Sequence, residues 1–179
     1  MVTTTAEQVI LVDQQDHEVG TGEKLAVHRA GRLHRAFSVF VTDPGGRLLL
    51  QRRAPAKYHS AGLWSNTCCG HPRPGETTPA AAHRRLREEM GFDCPLTPGF
   101  SFLYKADLGN GLTEHELDHV FTGSFDGTPR PDPAEVTEWR AVLVADLEAD
   151  LAANPAVYSA WFQPALEGLV ARALLKAQG

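Results

Sequence analysis

A thiol, several imidazoles and several carboxylates stand at spacings that suit metal binding and proton transfer. His71 follows Cys69 by two residues. Glu114 and Glu116, at i and i+2, fall on one face of an extended chain, where two carboxylates repel unless a cation or a proton intervenes. His28 and His34 lie just before a strand-forming stretch that begins near Ala36. The imidazoles of His28, His34 and His71 with the carboxylates of Glu114 and Glu116 make a mixed nitrogen and oxygen donor set, suited to Mn²⁺ or Zn²⁺ rather than Ca²⁺. His17, His59, His83, His115 and His119 show no such pattern and read as ordinary surface or core residues. His115, between the two glutamates, is expected on the opposite face of the strand.

The densest local pattern runs from Gly70 to Phe92, GHPRPGETTPAAAHRRLREEMGF. Thr77 or Thr78 can cap a helix from about Pro79 to Met90, Pro79 suits its first turn, and Gly91 supplies the stop. On that helix Arg85 and Glu89 share a face. Periodicity alone fits a surface helix with solvated Arg84–Glu88 and Arg85–Glu89 ion pairs. The spacing of Gly70, Glu76, Arg84, Leu86, Glu88, Glu89, Gly91 and Phe92, however, resembles the Nudix box at all eight of those positions. One position departs, because Arg85 stands where the box has Glu. In Nudix hydrolases that face presents carboxylates that hold metals; a guanidinium suits a diphosphate and cannot bind a metal. The exchange weakens a hydrolase and leaves a diphosphate binder.

These residues need a scaffold of strands around one helix. Val9–Val12 within Glu7–Asp13 reads as a strand. Ala36–Thr42 and Arg47–Gln51, separated by Asp43-Pro44-Gly45-Gly46, read as a hairpin. Strands are expected again at Gly99–Asp107, Glu114–Phe125 and Trp139–Val144. Helices are expected at Val144–Ala153 and near Ser159–Lys176, with Pro164 in the first turn of the last. The pattern is α+β, a mixed sheet layered with helices and a helical C-terminal tail. It is read as a single domain over residues 1–179, with about residues 1–6, up to Glu7, as a disordered tail.

Composition narrows the function classes. A net charge of −5 argues against a nucleic-acid surface, which needs a surplus of Lys and Arg, but allows a pocket with a few local cations. No apolar run is long enough to cross a bilayer, and the N-terminus lacks the pattern of a secretory signal. Cys68, Cys69 and Cys94 are too few and too adjacent for a disulfide framework and read as free thiols. The expectation is a cytoplasmic monomer, since no long heptad or exposed apolar helix stands out.

The segments EKLAVH (Glu23–His28), LHRAFS (Leu33–Ser38), WSNTCCGHP (Trp64–Pro72) and Glu114-His115-Glu116 together resemble the type 1 isopentenyl-diphosphate isomerases, members of the Nudix superfamily that also depart from its box at the position of Arg85. The likeness extends from about Ile10 to Trp161 and is most specific in Asn66–Pro72. It implies a reaction that adds a proton to an unactivated alkene and removes another from the neighbouring carbon, through a carbocation-like intermediate. It implies that Cys69 is the catalytic thiol, that Glu116 with the phenol of Tyr104 is the acid/base group on the opposite side, and that Trp161 shields the pocket. Cys68, on the other face of an extended chain, is expected to be structural. By the same likeness His28, His34, His71, Glu114 and Glu116 bind the Mn²⁺ or Zn²⁺, while Lys24, Arg53, Lys57 and Arg85 hold the diphosphate and Glu89 carries a Mg²⁺ that bridges to it. A Nudix diphosphohydrolase and a catalytically silent Nudix-fold module that binds a diphosphate ligand or a protein partner are the alternatives. Cys69 has no task in the first, and the second need not keep the acid/base set.

Overall fold

The computed structural model describes residues 7–57 and 59–175. The tail expected over residues 1–6, and Lys176 at the end of the expected last helix, lie outside them, as does Tyr58. Glu7 is held rather than loose: its carbonyl accepts from Lys24 N at 2.8 Å and its carboxylate pairs with Lys24 Nζ at 3.0 Å.

The run Val9–Val12 forms β1 (Gln8–Val12), paired antiparallel with β2 (Glu18–Glu23). The sheet is organised by β3 (His34–Thr42). One edge of β3 runs parallel to β8 (Leu112–Ser124), from His34↔Glu116 to Thr42↔Ser124. The other edge is shared in turn by β1 at His34, by β6 (Cys68–Gly70) at Phe37 to Val39, and by β4 (Leu48–Arg53) at Thr42. β7 (Leu96–Gly109) lines the far side of β8, while β9 (Val136–Val142) and the short β5 (Trp64–Ser65) pair with β4.

Both faces of β3 are covered, which is why it reads as a nearly continuous apolar run. Phe37, Val39 and Val41 pack under α2 (Thr78–Met90), whereas Phe40 joins Leu48 and Leu50 under α3 (Val144–Ala153) and α4 (Phe162–Ala171). This is the expected α+β architecture with a helical C-terminal end. Thr77 caps α2 through its side chain, and Gly91 closes it at φ 71°. Pro164 sits in the first turn of α4, where its missing N–H has no intrahelical partner to lose.

Two expectations need correction. The Asp43–Gly46 turn forms, with Asp43 N donating to Arg47 O at 2.9 Å, but β3 and β4 pair only at Thr42↔Leu48. The strands part because β6 takes the edge of β3 and β5 takes the edge of β4, whose other edge is paired along its length with β9. The second correction is a helix, α1 (Lys24–Ala30), where the sequence suggested only a lead-in to a strand. At seven residues it is too short for helical periodicity to show, and its cap is Glu23, whose carboxylate accepts from Leu25 N and Ala26 N at 2.9 and 2.7 Å. Smaller shifts affect two elements: the strand expected at Trp139–Val144 runs from Val136 to Val142, and the last helix, expected near Ser159–Lys176, runs from Phe162 to Ala171.

Candidate active site

On one face of β8 stand Glu114, Glu116 and Asp118, all buried. α1 brings His28 to them, β3 opens with His34 in register with Glu116, and the chain leaving β6 brings His71. His28 and His34 donate Nδ1–H to the carbonyls of Lys24 (2.7 Å) and Arg32 (2.9 Å). That fixes the tautomer and leaves each Nε2 as the lone-pair atom. His28 Nε2 lies 3.2 Å from Glu114 Oε2, His34 Nε2 3.3 Å from Glu116 Oε1, and His71 Nε2 2.7 Å from the same oxygen. One ligand atom from each of His28, His34, His71 and Glu116 lies within 4.8 Å of the others, and the same holds for His28, His59 and Glu114.

The donors fit a divalent cation. His34 Nε2 and Glu114 Oε2 are buried without a hydrogen bond of their own, an arrangement that a shared positive charge would relieve. Burial, with the charges of Lys24 and His34, pulls His71 well below the ordinary imidazole range, so it is neutral and able to ligate. Burial would raise Glu116, yet His34 beside it, together with the Tyr104 hydroxyl, holds it below the usual carboxylate range.

Cys69 pairs in register with Ser38 of β3 and shares its side of the sheet, while Cys68 turns into the core beneath α2. A cavity lined by Phe37, Ser38, Cys69, Glu114, Glu116 and Trp161 lies there. Tyr104, opposite Glu116 in the β7–β8 register, donates its hydroxyl to Glu116 Oε2. Trp161 stands just ahead of α4, and its Nε1–H donates to Asn66 Oδ1 at 3.0 Å. Burial pushes the Cys69 thiol up to about 12, although Arg53, with Nη1 3.7 Å from Sγ, pulls the other way. The thiol is therefore protonated at neutral pH.

Cys69, with Gly70 and His71, also borders a second basin of about 330 Å³. Lys24, Arg53, Lys57 and Arg85 line it together with Glu89 and Glu135. Glu89 Oε2 accepts from Gln51 Nε2 at 2.7 Å, and Oε1 meets Arg85 Nη2 and, at 3.6 Å, Lys57 Nζ. Burial opposes ionisation of Glu89, but Arg85 and Lys57 hold its carboxyl below the usual range. Among the described residues Glu89 belongs to no cluster of three ligand atoms, so a Mg²⁺ there would take its remaining ligands from elsewhere.

Residues 32–162 match the model of the NUDIX domain. The chain is 51% identical over 173 residues to isopentenyl-diphosphate Delta-isomerase 2 of Aromatoleum aromaticum, covering 97% of this chain and 92% of that protein. It is 54% identical over 165 residues to isopentenyl-diphosphate Delta-isomerase 1 of the same organism, covering 92% and 93%. The chain belongs to the isopentenyl-diphosphate Delta-isomerase family. DR0079 of Deinococcus radiodurans, 24% identical, shares the fold at a TM-score of 0.75 over 90% of this chain and 98% of that one.

For a member of the Delta-isomerase family, the residues singled out from sequence converge well. His28, His34, His71 and Glu116 form one group, Glu114 forms a second that shares His28, Cys69 and Trp161 line the adjoining cavity with Tyr104 bonded to Glu116, and Lys24, Arg53, Lys57, Arg85 and Glu89 share the basin. His115 turns away, its Nδ1–H donating to Gly31 O at 3.0 Å. The reading of His59 as a bland histidine is corrected: its Nε2 lies 3.4 Å from Glu114 Oε1 and its ring meets Trp161 edge-on at 5.9 Å. Burial, with Arg53 and His28 adding to it, pulls His59 down to about 3 despite the charge of Glu114. Asp118 also went unread. It takes a 2.7 Å hydrogen bond from Ser38 Oγ, and burial together with Glu116 pushes it well above the carboxylate range. Its two-residue step from Glu116 was a usable signal; His59 and Glu135 arrive on loops and offered none.

Proposed function

We propose that this protein interconverts isopentenyl diphosphate and dimethylallyl diphosphate. A proton is added to the terminal alkene carbon, giving a tertiary cation, and another is removed from the carbon on the cation's other side. The double bond moves by one position and no atom is gained or lost. The reading is carried by one juxtaposition: Cys69 and Glu116 line the same cavity, and Cys69 also borders the cationic basin.

Lys24, Arg53, Lys57 and Arg85 bind the diphosphate, Arg85 with the planar fork that suits phosphate oxygens. The tail then lies between the thiol and the carboxylate. Cys69 exchanges a proton on one side and Glu116, with the Tyr104 hydroxyl, on the other; donor and acceptor swap when the reaction runs in reverse. Trp161 and Phe37 exclude water from the cation, and the indole face stabilises it by roughly 1–2 kcal/mol. A divalent ion, Mn²⁺ or Zn²⁺ by donor chemistry, held by His28, His34, His71, Glu114 and Glu116 would supply a fixed positive charge that lowers the proton affinity of Glu116. Glu89 would hold a Mg²⁺, which would supply positive charge for the diphosphate. The enzyme is taken to work in the cytoplasm as a monomer on this small substrate, without a nucleic-acid or membrane partner. Its net charge of −5 agrees with that, and no helix among the described residues is long and apolar enough to cross a membrane.

The test is to incubate metal-loaded protein and Mg²⁺ with isopentenyl diphosphate and to assay acid-labile allylic diphosphate and free phosphate in one sample. Allylic product without phosphate is expected, and Cys69→Ala should reduce it to background. Phosphate without allylic product would replace the reading with a hydrolase, and silence in both channels would leave a binding module.

A further inference from the structure

The loop between β4 and β5 carries both Lys57, in the diphosphate basin, and His59, which reaches the opposite side of the site. We infer that His59 is a sixth ligand of the metal centre, completing a set of four nitrogens and two oxygens with His28, His34, His71, Glu114 and Glu116. The inference rests on the His/Glu centre of the proposed function and not on its alkene chemistry.

The geometry turns on Glu114. One of its oxygens lies 3.2 Å from His28 Nε2 and the other 3.4 Å from His59 Nε2, so the carboxylate is bracketed by two imidazoles. The rings of His28 and His59 stack at 5.7 Å with 24° between their planes. His28 Nδ1–H is committed to the Lys24 carbonyl at 2.7 Å, so His28 has a single lone pair, and that nitrogen belongs to both donor groups. One lone pair serves one ion. The two groups therefore cannot hold two ions at once, and a single ion on His28 would bring Glu114 and His59 in beside His34, His71 and Glu116.

Within each group the ligand atoms lie inside 4.8 Å of one another. Ligands about 2.1 Å from a common ion stand about 3 Å apart when adjacent and about 4 Å apart when opposite, so a small contraction closes each group. The ring of His59 is buried and held in place from two sides: it meets Trp161 edge-on, and its own carbonyl accepts from Arg53 Nη2 at 3.3 Å.

Six protein donors have two consequences. The set favours an octahedral ion over the four-coordinate geometry common for Zn²⁺, and it leaves no open position at which a water could be activated. An ion closed in this way serves by its charge, which suits isomerisation and disfavours hydrolysis. Because the same loop holds Lys57, metal binding also ties the diphosphate basin to the metal centre.

The test uses the full chain, stripped and reloaded with Co²⁺ alone, so that substrate plays no part. The parent should show the weak visible absorption of a six-coordinate ion. His59→Phe, which keeps an aromatic ring against Trp161, should give the stronger bands of a lower coordination number. Chelator competition should show Co²⁺ bound about 10- to 100-fold more weakly, the range already seen for loss of outer-shell partners. An unchanged spectrum and affinity in His59→Phe would overturn the inference and leave His59 as a packing residue. X-ray absorption on the parent gives a second measurement that needs no variant: four ligating imidazoles are expected, and three would reject the assignment. Failure of the parent to bind Co²⁺ would remove the centre and this inference together. A parent that binds six-coordinate Co²⁺ yet makes no allylic product would remove only the isomerase reading.

Discussion

Glu135 shows how a single carboxylate can tune the basin. Lys57 and Arg85, both assigned to the diphosphate, are each shared between Glu89 and Glu135, with Arg85 Nη2 3.2 Å from Glu135 Oε2. An incoming phosphate oxygen must compete with Glu135 for these two cations. Glu135→Gln removes that competing charge and keeps the shape. The expected outcome is a KM for isopentenyl diphosphate lowered about three- to tenfold, roughly 1 kcal/mol, with kcat little changed. If Glu135 instead held a metal, the variant would lose kcat and require more Mg²⁺, so steady-state kinetics over a Mg²⁺ series separates the two roles. The same scale explains Arg85. A neutral side chain there would leave Glu89 buried beside Cys68 with a cation fewer; burial works against the charge of Arg85, yet Glu89 raises its pKa above the free value.

At the scale of the element, α2 is stabilised at its start and its end by different devices. Arg84 clamps Glu76 with two hydrogen bonds of 2.8 Å, tying the loop before the helix to its middle. The bonds from Arg84 hold the Glu76 carboxyl below its usual range, with burial opposing. A carboxyl depressed in the folded state binds more protons when unfolded, so its contribution is present above the unfolded carboxylate pKa and lost as pH falls through the folded value. Glu76→Gln should therefore cost about 1 kcal/mol near neutral pH, and the difference from the parent should fade in acid. Urea midpoints at the two pH values measure this; a difference independent of pH would contradict it. At the other end Gly91 stands at φ 71°, and an added Cβ would lie 2.1 Å from Arg130 O. Strain and clash act together, so Gly91→Ala should destabilise the fold by about 2–3 kcal/mol in the same assay.

For the whole molecule, β3 separates two cores and carries the site at its start. Its α2 side presents Phe37, Val39 and Val41, while its other side changes from the site residues His34 and Ser38 to the apolar Phe40. The His/Glu cluster joins α1, β3, β8 and the segment after β6, so an ion held there would cross-link parts of the chain distant in sequence. Bound at a hundredfold over its dissociation constant, an ion adds about 2.7 kcal/mol to stability. Stripping it with a chelator should lower Tm by about 5–10 °C for a chain of this length, and restoring the metal should recover it. Differential scanning calorimetry checks this, and a Tm unmoved by stripping would argue against a loaded centre.

Local signals carried much of this protein. Thr77, Pro79 and Gly91 marked α2 because capping and φ > 0 are properties of single residues, and the two-residue step of Glu114 and Glu116 placed them together because side chains alternate along a strand. The motif spacings identified the Delta-isomerase family before any contact was known. Tertiary structure alone decided where long-range pairing put the rest. That the β3–β4 hairpin would open for β6 and β5, that seven residues after Glu23 would coil into a helix that carries His28, and that loops would deliver His59 to Glu114 and Glu135 to Lys57 are outcomes of packing that neighbouring residues do not specify. Periodicity records which face a residue takes within its own element, whereas the partner across a sheet edge or at the end of a loop is chosen by the whole fold.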